Sequence, residues 1–380
     1  MRRPFEPDPG HAGEGTGMLQ DQPIRDIAAA QISLRAQISS RAQISSRADV
    51  IGAGIAGTWQ ALALAKAGLD VTVYERDDAA MTQAVSHVAG GMLAPWCEGE
   101  ASEPVITRLG ARSLELWRAE LPDTPFNGSL VVAHPRDRAD FDRFAKLTAG
   151  HRRLDAPGIA QLEPALEGRF GDALFFPDEG HVEPRRVLPQ LHARLAALGV
   201  AVRFETEHKT SDDTRLTVDC RGLAARDDAP RNAQGNAPDL RGVKGEMIVV
   251  ETTEIALSRP VRLLHPRWPL YIIPRDDNRF MIGATSIESE DRGVSVRSAL
   301  ELLSAAYAVH PAFGEARIVE IGAGLRPAFP DNLPRIDVEG RRIAVNGLYR
   351  HGFLLAPALA ELTTAYITRG AIDNQVMRCA

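Results

Sequence analysis

A glycine-spaced run, Gly52-Ala53-Gly54-Ile55-Ala56-Gly57, follows the apolar pair Val50-Ile51 and opens a helical pattern, which leaves few folds available to this chain. Gly52 permits a tight turn, Gly54 lets the backbone approach a pyrophosphate, and Gly57 lets the helix lie close to the strand. Ile55 and Ala56 lie within the run and are expected beside the same ligand. The helix N-terminus, with free N–H groups and a positive dipole end, suits phosphate. The pattern predicts a helix from Gly57 to about Ala67 with Gly68 as its stop, then a strand over Leu69–Glu75. Glu75 closes that strand at the expected spacing of roughly 20 residues, followed by Arg76. A carboxylate there accepts hydrogen bonds from ribose hydroxyls and disfavours a 2′-phosphate, so the fingerprint suits FAD or NAD and not NADP. The fold class is therefore α/β, built on a Rossmann-type domain.

The first strand is short in apolar residues: only Val50 and Ile51 are strongly so, where buried parallel strands carry about four or five. Just upstream, Arg35-Ala36-Gln37-Ile38-Ser39-Ser40 is repeated as Arg41-Ala42-Gln43-Ile44-Ser45-Ser46. So short and polar a repeat buries no face of its own. Residues 1–47 are expected to be a disordered leader, the alternative being that the last copy joins the first strand.

With 380 residues, 44% of them hydrophobic, the chain can build two packed domains. A net charge of −6 speaks against nucleic acid or an anionic membrane as the main partner. No apolar run approaches the roughly 20 residues of a membrane span. Cys97, Cys220 and Cys379 form neither a disulfide framework nor a zinc pattern, and no metal is expected. Arg2-Arg3 is not followed by an apolar export region, so a cytoplasmic protein is expected.

Further helices are expected over Thr107–Glu120, Val187–Leu198 and Gly352 to about Arg369. Strands are expected over Ser129–Ala133, Met247–Glu251, Tyr271–Pro274, Arg279–Ala284 and Arg342–Val345, with a polar loop from Arg226 to Gly242. Motifs that bear chemistry occur at both ends. That pattern implies a discontinuous cofactor domain (48–104, 181–242 and 321–370) with an inserted α+β, mixed-sheet substrate domain (105–180 and 243–320).

The segment Ser86-His87-Val88-Ala89-Gly90-Gly91-Met92-Leu93-Ala94-Pro95 packs small residues with glycines, which lets backbone lie flush against a flat ring. This segment, Trp96-Cys97-Glu98 after it, His181-Val182-Glu183-Pro184, Gly242-Val243-Lys244-Gly245-Glu246, Tyr271-Ile272-Ile273-Pro274-Arg275, Gly283-Ala284-Thr285, Gly324-Leu325-Arg326-Pro327 and His351-Gly352-Phe353-Leu354-Leu355-Ala356-Pro357 form an ordered series. On that series the chain resembles the D-amino-acid oxidase superfamily and, within it, the glycine oxidases that serve thiazole formation in thiamine biosynthesis.

The resemblance implies FAD, with Gly90, Gly91 and Met92 against its ring system. Gly352 opens a helix, continued by Phe353, Leu354 and Leu355, whose N–H groups face the flavin pyrimidine edge, where they would stabilise developing negative charge. It implies that Arg326, a fork-shaped cation suited to carboxylates, anchors the substrate carboxylate with help from the Tyr271 hydroxyl. Arg350 either adds positive potential at the substrate or is a solvated loop charge. In this chemistry a hydride leaves the substrate Cα for flavin N5, water hydrolyses the imine and oxygen reoxidises the flavin to give peroxide. No side chain is then needed as general acid or base, His181 and His351 included. No cysteine falls in Gly324–Asp331, where some sarcosine-oxidising relatives attach FAD, so the FAD is expected to be non-covalent. Glycine, sarcosine and small D-amino acids remain open as substrates, and members of the family are often homo-oligomers. The alternatives are a D-amino-acid dehydrogenase using another acceptor and a bare FAD-binding module.

Overall fold

The computed structural model describes residues 47–208, 215–228, 239–264 and 270–379. The expected leader lies outside the described residues except for Arg47, which opens the first strand, Arg47–Ile51. That strand is central in a seven-stranded sheet ordered Met377–Cys379, Arg335–Glu339, Arg342–Asn346, Leu216–Asp219, Arg47–Ile51, Asp70–Tyr74, Ala201–Arg203. Its neighbours on both sides run parallel to it. The missing apolar residue is Asp49, buried but ion-paired to Arg215 at 3.0 Å, with His208 3.6 Å away. A charge in a central strand survives there because opposite charge meets it.

The first helix spans Ile55–Lys66, so it begins two residues before the expected start, inside the glycine run. It packs against Pro184–Ala197 and against the closing helix, Gly352–Arg369, which has the expected bounds. The closing helix is in turn clamped by Pro104–Glu120: Trp117 Nε1 donates to Phe353 O at 2.9 Å and Arg112 pairs with Glu361. That segment begins at the domain boundary expected from sequence, yet it packs with the cofactor layer. Its amphipathic pattern gave no sign of which layer it would cover.

The second sheet has eight strands, ordered Arg317–Ala328, Arg241–Glu251, Arg279–Gly283, Leu270–Pro274, Val261–Leu263, Ser129–Val132, Asp172–Phe176, Arg152–Asp155. All neighbours are antiparallel except Val261–Leu263 with Ser129–Val132. Its core joins Ile248, Val250, Phe280 and Ile282 to Leu302, Ala306 and Val309 of the helix Val296–Val309. Two boundaries move. Arg241 and Gly242, expected at the end of a loop, open a long strand, and 321–328, expected with the cofactor domain, belong to its antiparallel partner. Long antiparallel pairing extended both strands beyond their apolar centres. Of the expected loop, residues 226–228 belong to the helical turn Ala225–Asp228 and 229–238 lie outside the described residues.

Candidate active site

Gly52 sits at φ +96°, and a Cβ there would stand 2.9 Å from the Cys220 carbonyl oxygen. A Cβ on Gly57 would stand 1.8 Å from the Gly52 carbonyl oxygen, so helix and turn touch backbone to backbone. Gly54 is different: the nearest atom to its missing Cβ is Ser86 Oγ at 3.4 Å, and its backbone borders the cavity. Glu75 accepts hydrogen bonds from Ala53 N at 2.7 Å and Asp77 N at 3.0 Å. Those bonds hold the carboxylate across the mouth of the glycine turn.

One cavity of about 820 Å³ borders this turn. Gly52, Gly54, Ile55, Ala56, Glu75 and Arg76 line it, and so do Gly90, Gly91, Met92, Gly352 and Phe353. The substrate candidates Tyr271, Arg326 and Arg350 line the same space. Gly57, Leu354 and Leu355 do not. Gly57 serves helix–turn packing, as above. Leu354 packs where Gly110 leaves room, and Leu355 is fully buried with its N–H bonded to His351 O at 2.8 Å. A helix turns about 100° per residue, so Phe353 can face the cavity while the next two side chains enter the core.

Arg326 extends from its strand opposite Val243 and lies over Gly245, where a Cβ would come within 2.1 Å of the guanidinium. Its Nη1 donates to Thr285 O at 2.9 Å, and no carboxylate among the described residues pairs with it. Burial, reinforced by the charge of Arg350, draws its basicity below the ordinary guanidinium range. An uncompensated, half-buried cation facing a cavity is a ready carboxylate receptor.

Arg350 is half-buried and not free. It pairs with Glu98, which sequence reasoning did not single out. Burial acts to raise the pKa of Glu98, but Arg350, His351 and Arg262 outweigh it and hold the carboxyl at about 2. The other Glu98 oxygen accepts from the Tyr271 hydroxyl at 3.4 Å, a long bond that an incoming anion can outcompete. Arg262 Nη1 donates to the Tyr271 oxygen at 3.2 Å and to Cys97 O at 2.6 Å. The backbone carrying Glu98 is fixed from below by Glu179, which accepts from Trp96 N at 3.0 Å and Cys97 N at 2.8 Å. The only hint of Glu98 in the sequence was its place at the end of the glycine-rich segment, because its partner lies 252 residues away.

His351, just before the closing helix, and His181, beside Met92, are both buried. Burial pushes each to a pKa of about 4, with Arg275 assisting at His181 and Arg350 and Arg326 at His351. Both are neutral at pH 7. Between their folded value and the unfolded 6.5 the unfolded chain binds more protons, so stability falls as pH drops through that window. Acidification from pH 7 to 5 should cost on the order of 2 kcal/mol per histidine in urea unfolding. The His351→Asn variant should lose its share of that slope; an unchanged slope would show that His351 does not titrate across the window.

Residues 49–366 match the family described as FAD dependent oxidoreductase. The chain belongs to the FAD-dependent oxidoreductases. A protein of Rhizobium etli named as a putative thiamine biosynthesis oxidoreductase, ThiO, is 53% identical over 313 residues, 82% of this chain and 93% of that one. The glycine oxidase of Geobacillus kaustophilus is 27% identical over 84% of this chain and 92% of its own. A crystal structure of glycine oxidase from that organism superposes with a TM-score of 0.70, covering 85% of this chain and 95% of that one at 24% identity. The fold is thus that of an FAD-dependent oxidoreductase, with the expected Rossmann-type layer and mixed sheets. The residues present fit FAD: Gly52 and Gly57 admit no side chain, the Gly54 backbone borders the cavity, Glu75 is held beside the turn, and the cavity is of cofactor size. Among the described residues no helix is long and apolar enough to cross a membrane, and no group of His, Cys, Asp or Glu could hold a metal ion.

Proposed function

We propose that this oxidoreductase converts glycine, dioxygen and water into glyoxylate, ammonia and hydrogen peroxide by way of the glycine imine. The observation that carries this reading is Arg326, a half-buried guanidinium without a carboxylate partner among the described residues, lying in the cavity that the dinucleotide fingerprint borders. Bound FAD supplies a two-electron acceptor that dioxygen can reoxidise. Gly52, Gly54, Ile55 and Ala56 would carry its diphosphate, Glu75 and Arg76 its ribose end, and Gly90, Gly91 and Met92 its rings. Gly352 would turn a helix N-terminus toward it, and with no cysteine in Gly324–Asp331 the attachment is non-covalent. Arg326 holds the substrate carboxylate, and Tyr271 reaches the same anion once its long bond to Glu98 yields. No group need take a proton from a neutral amine, and His351 and His181, neutral at pH 7, keep their positions unchanged.

The names of the relatives support a role in thiamine biosynthesis, where the imine serves thiazole formation. The division into a cofactor layer around the seven-stranded sheet and a substrate layer around the eight-stranded one belongs to this reading, with boundaries moved as described above. Family resemblance alone supports a cytoplasmic homo-oligomer. The purified protein is expected to be yellow, to bleach with glycine under nitrogen, and to recover in air with release of peroxide. Bleaching followed by slow recovery in air would replace the oxidase by a dehydrogenase. A bound flavin indifferent to glycine, sarcosine and D-alanine would overturn the substrate.

A further inference from the structure

Arg326 and Arg350 both line the cavity with Tyr271, and of the two only Arg326 lacks a carboxylate partner among the described residues. Arg326 has a carbonyl partner and an open face, whereas Arg350 is tied to Glu98. The two lie close enough for the charge of Arg350 to depress the basicity of Arg326. Arg262, the third cation of the cluster, is already engaged by Cys97 O and the Tyr271 hydroxyl. We propose that Glu98 confines the site to monocarboxylate amines by occupying Arg350, which would otherwise receive a second carboxylate. Glu98 is therefore a specificity residue acting through Arg350, and the inference rests on the reading that Arg326 takes the substrate carboxylate.

The geometry supports it in three ways. Glu98 lines the same cavity as Arg350 and is paired with it, so a second substrate carboxylate reaching for Arg350 has to compete with a carboxylate already in place. That carboxyl, held at about 2, stays ionised near neutral pH, where Arg350 and Arg262 carry the charge that offsets its burial, so the repulsion persists there. And the backbone that carries Glu98 is anchored, since Glu179 accepts from the two N–H groups that precede it, while Arg350 and the Tyr271 hydroxyl hold the carboxylate itself. Like charge placed against an unwanted ligand is how a site excludes it.

The test uses the full chain with FAD bound and reads equilibrium binding of acetate and malonate from the flavin absorbance, with no turnover needed. The wild type should bind malonate no more than a few-fold tighter than acetate. In Glu98→Gln the malonate-to-acetate ratio should rise at least about tenfold, the size expected when Arg350 makes one new charge-assisted, bidentate pair. Glu98→Asp, which keeps the charge, should stay near the wild-type ratio. Oxidation of iminodiacetate relative to glycine should rise in Glu98→Gln by a similar factor. A merely structural role would lower both ligands together and overturn the proposal. So would a wild type that already prefers malonate more than about tenfold, a result that needs no variant to fold. Loss of glycine binding in Glu98→Gln with acetate and malonate unchanged would make Glu98 the amine acceptor instead. If wild-type flavin is not bleached by glycine while the anion ratios behave as stated, the proposed reaction fails and the assignment of Glu98 stands.

Discussion

Arg326→Met is expected to lower kcat/KM for glycine by about 30- to 5,000-fold, mostly through KM, with flavin content unchanged. The range corresponds to the ~2–5 kcal/mol lost when one partner of a buried, hydrogen-bonded charge pair is truncated. The pair forms only when substrate arrives, since no carboxylate among the described residues pairs with Arg326. For that reason the variant should be no less stable than the wild type, and its melting temperature should hold or rise. Removing a half-buried cation that has no carboxylate partner removes part of a desolvation cost and leaves one carbonyl, Thr285 O, in want of a donor. Steady-state kinetics and thermal melts on the same preparations decide it. A variant that melts much earlier and loses flavin would identify Arg326 as a structural residue.

The second large effect concerns the glycine turn. Gly57→Ala adds one methyl group 1.8 Å from a backbone oxygen that cannot rotate away. Overpacking against side chains costs about 1–3 kcal/mol, and against backbone the upper end or beyond is expected. Gly57 lies in a regular helix, so none of this cost is conformational. Gly68 makes the contrast: its φ is +90° and nothing lies within 4 Å of its missing Cβ, so Gly68→Ala meets only the backbone penalty of about 1–2 kcal/mol. Purified Gly57→Ala should be colourless or nearly so, while Gly68→Ala should be yellow. Equal flavin content in the two would refute the contact between turn and helix.

The parts legible in the sequence are those in which neighbouring residues act together. The glycine turn with Glu75 and the helix from Gly352 to Arg369 each declare themselves within one stretch of chain. Arg326 was legible through its Gly-Leu-Arg-Pro setting, although the strand that carries it was not. The Glu98–Arg350 pair was illegible, because two unlike charges in distant loops look like two solvated charges until folding joins them. Asp49 made the first strand look truncated for the same reason, its compensating Arg215 being far downstream. Leu354 and Leu355 were grouped with the cofactor by adjacency in sequence, whereas helical rotation separates adjacent side chains.

The strand order of the cofactor sheet also bears on when this enzyme can acquire its flavin during synthesis. The strand Arg47–Ile51 and the glycine turn leave the ribosome early, but the strand beside them is Leu216–Asp219, and the next along is Arg342–Asn346. The closing helix at Gly352–Arg369, which also borders the cavity, is made later still. At roughly 5–20 residues per second, tens of seconds separate the first phosphate-binding element from the last wall of its pocket. Until Leu216–Asp219 is made, the first strand has only Asp70–Tyr74 beside it, and until the closing helix is made there is no complete pocket to close on a ligand. Flavin loading therefore waits, in this topology, until the helix Gly352–Arg369 has been made. A cell short of FAD would accumulate chains that have passed this point and hold an empty pocket.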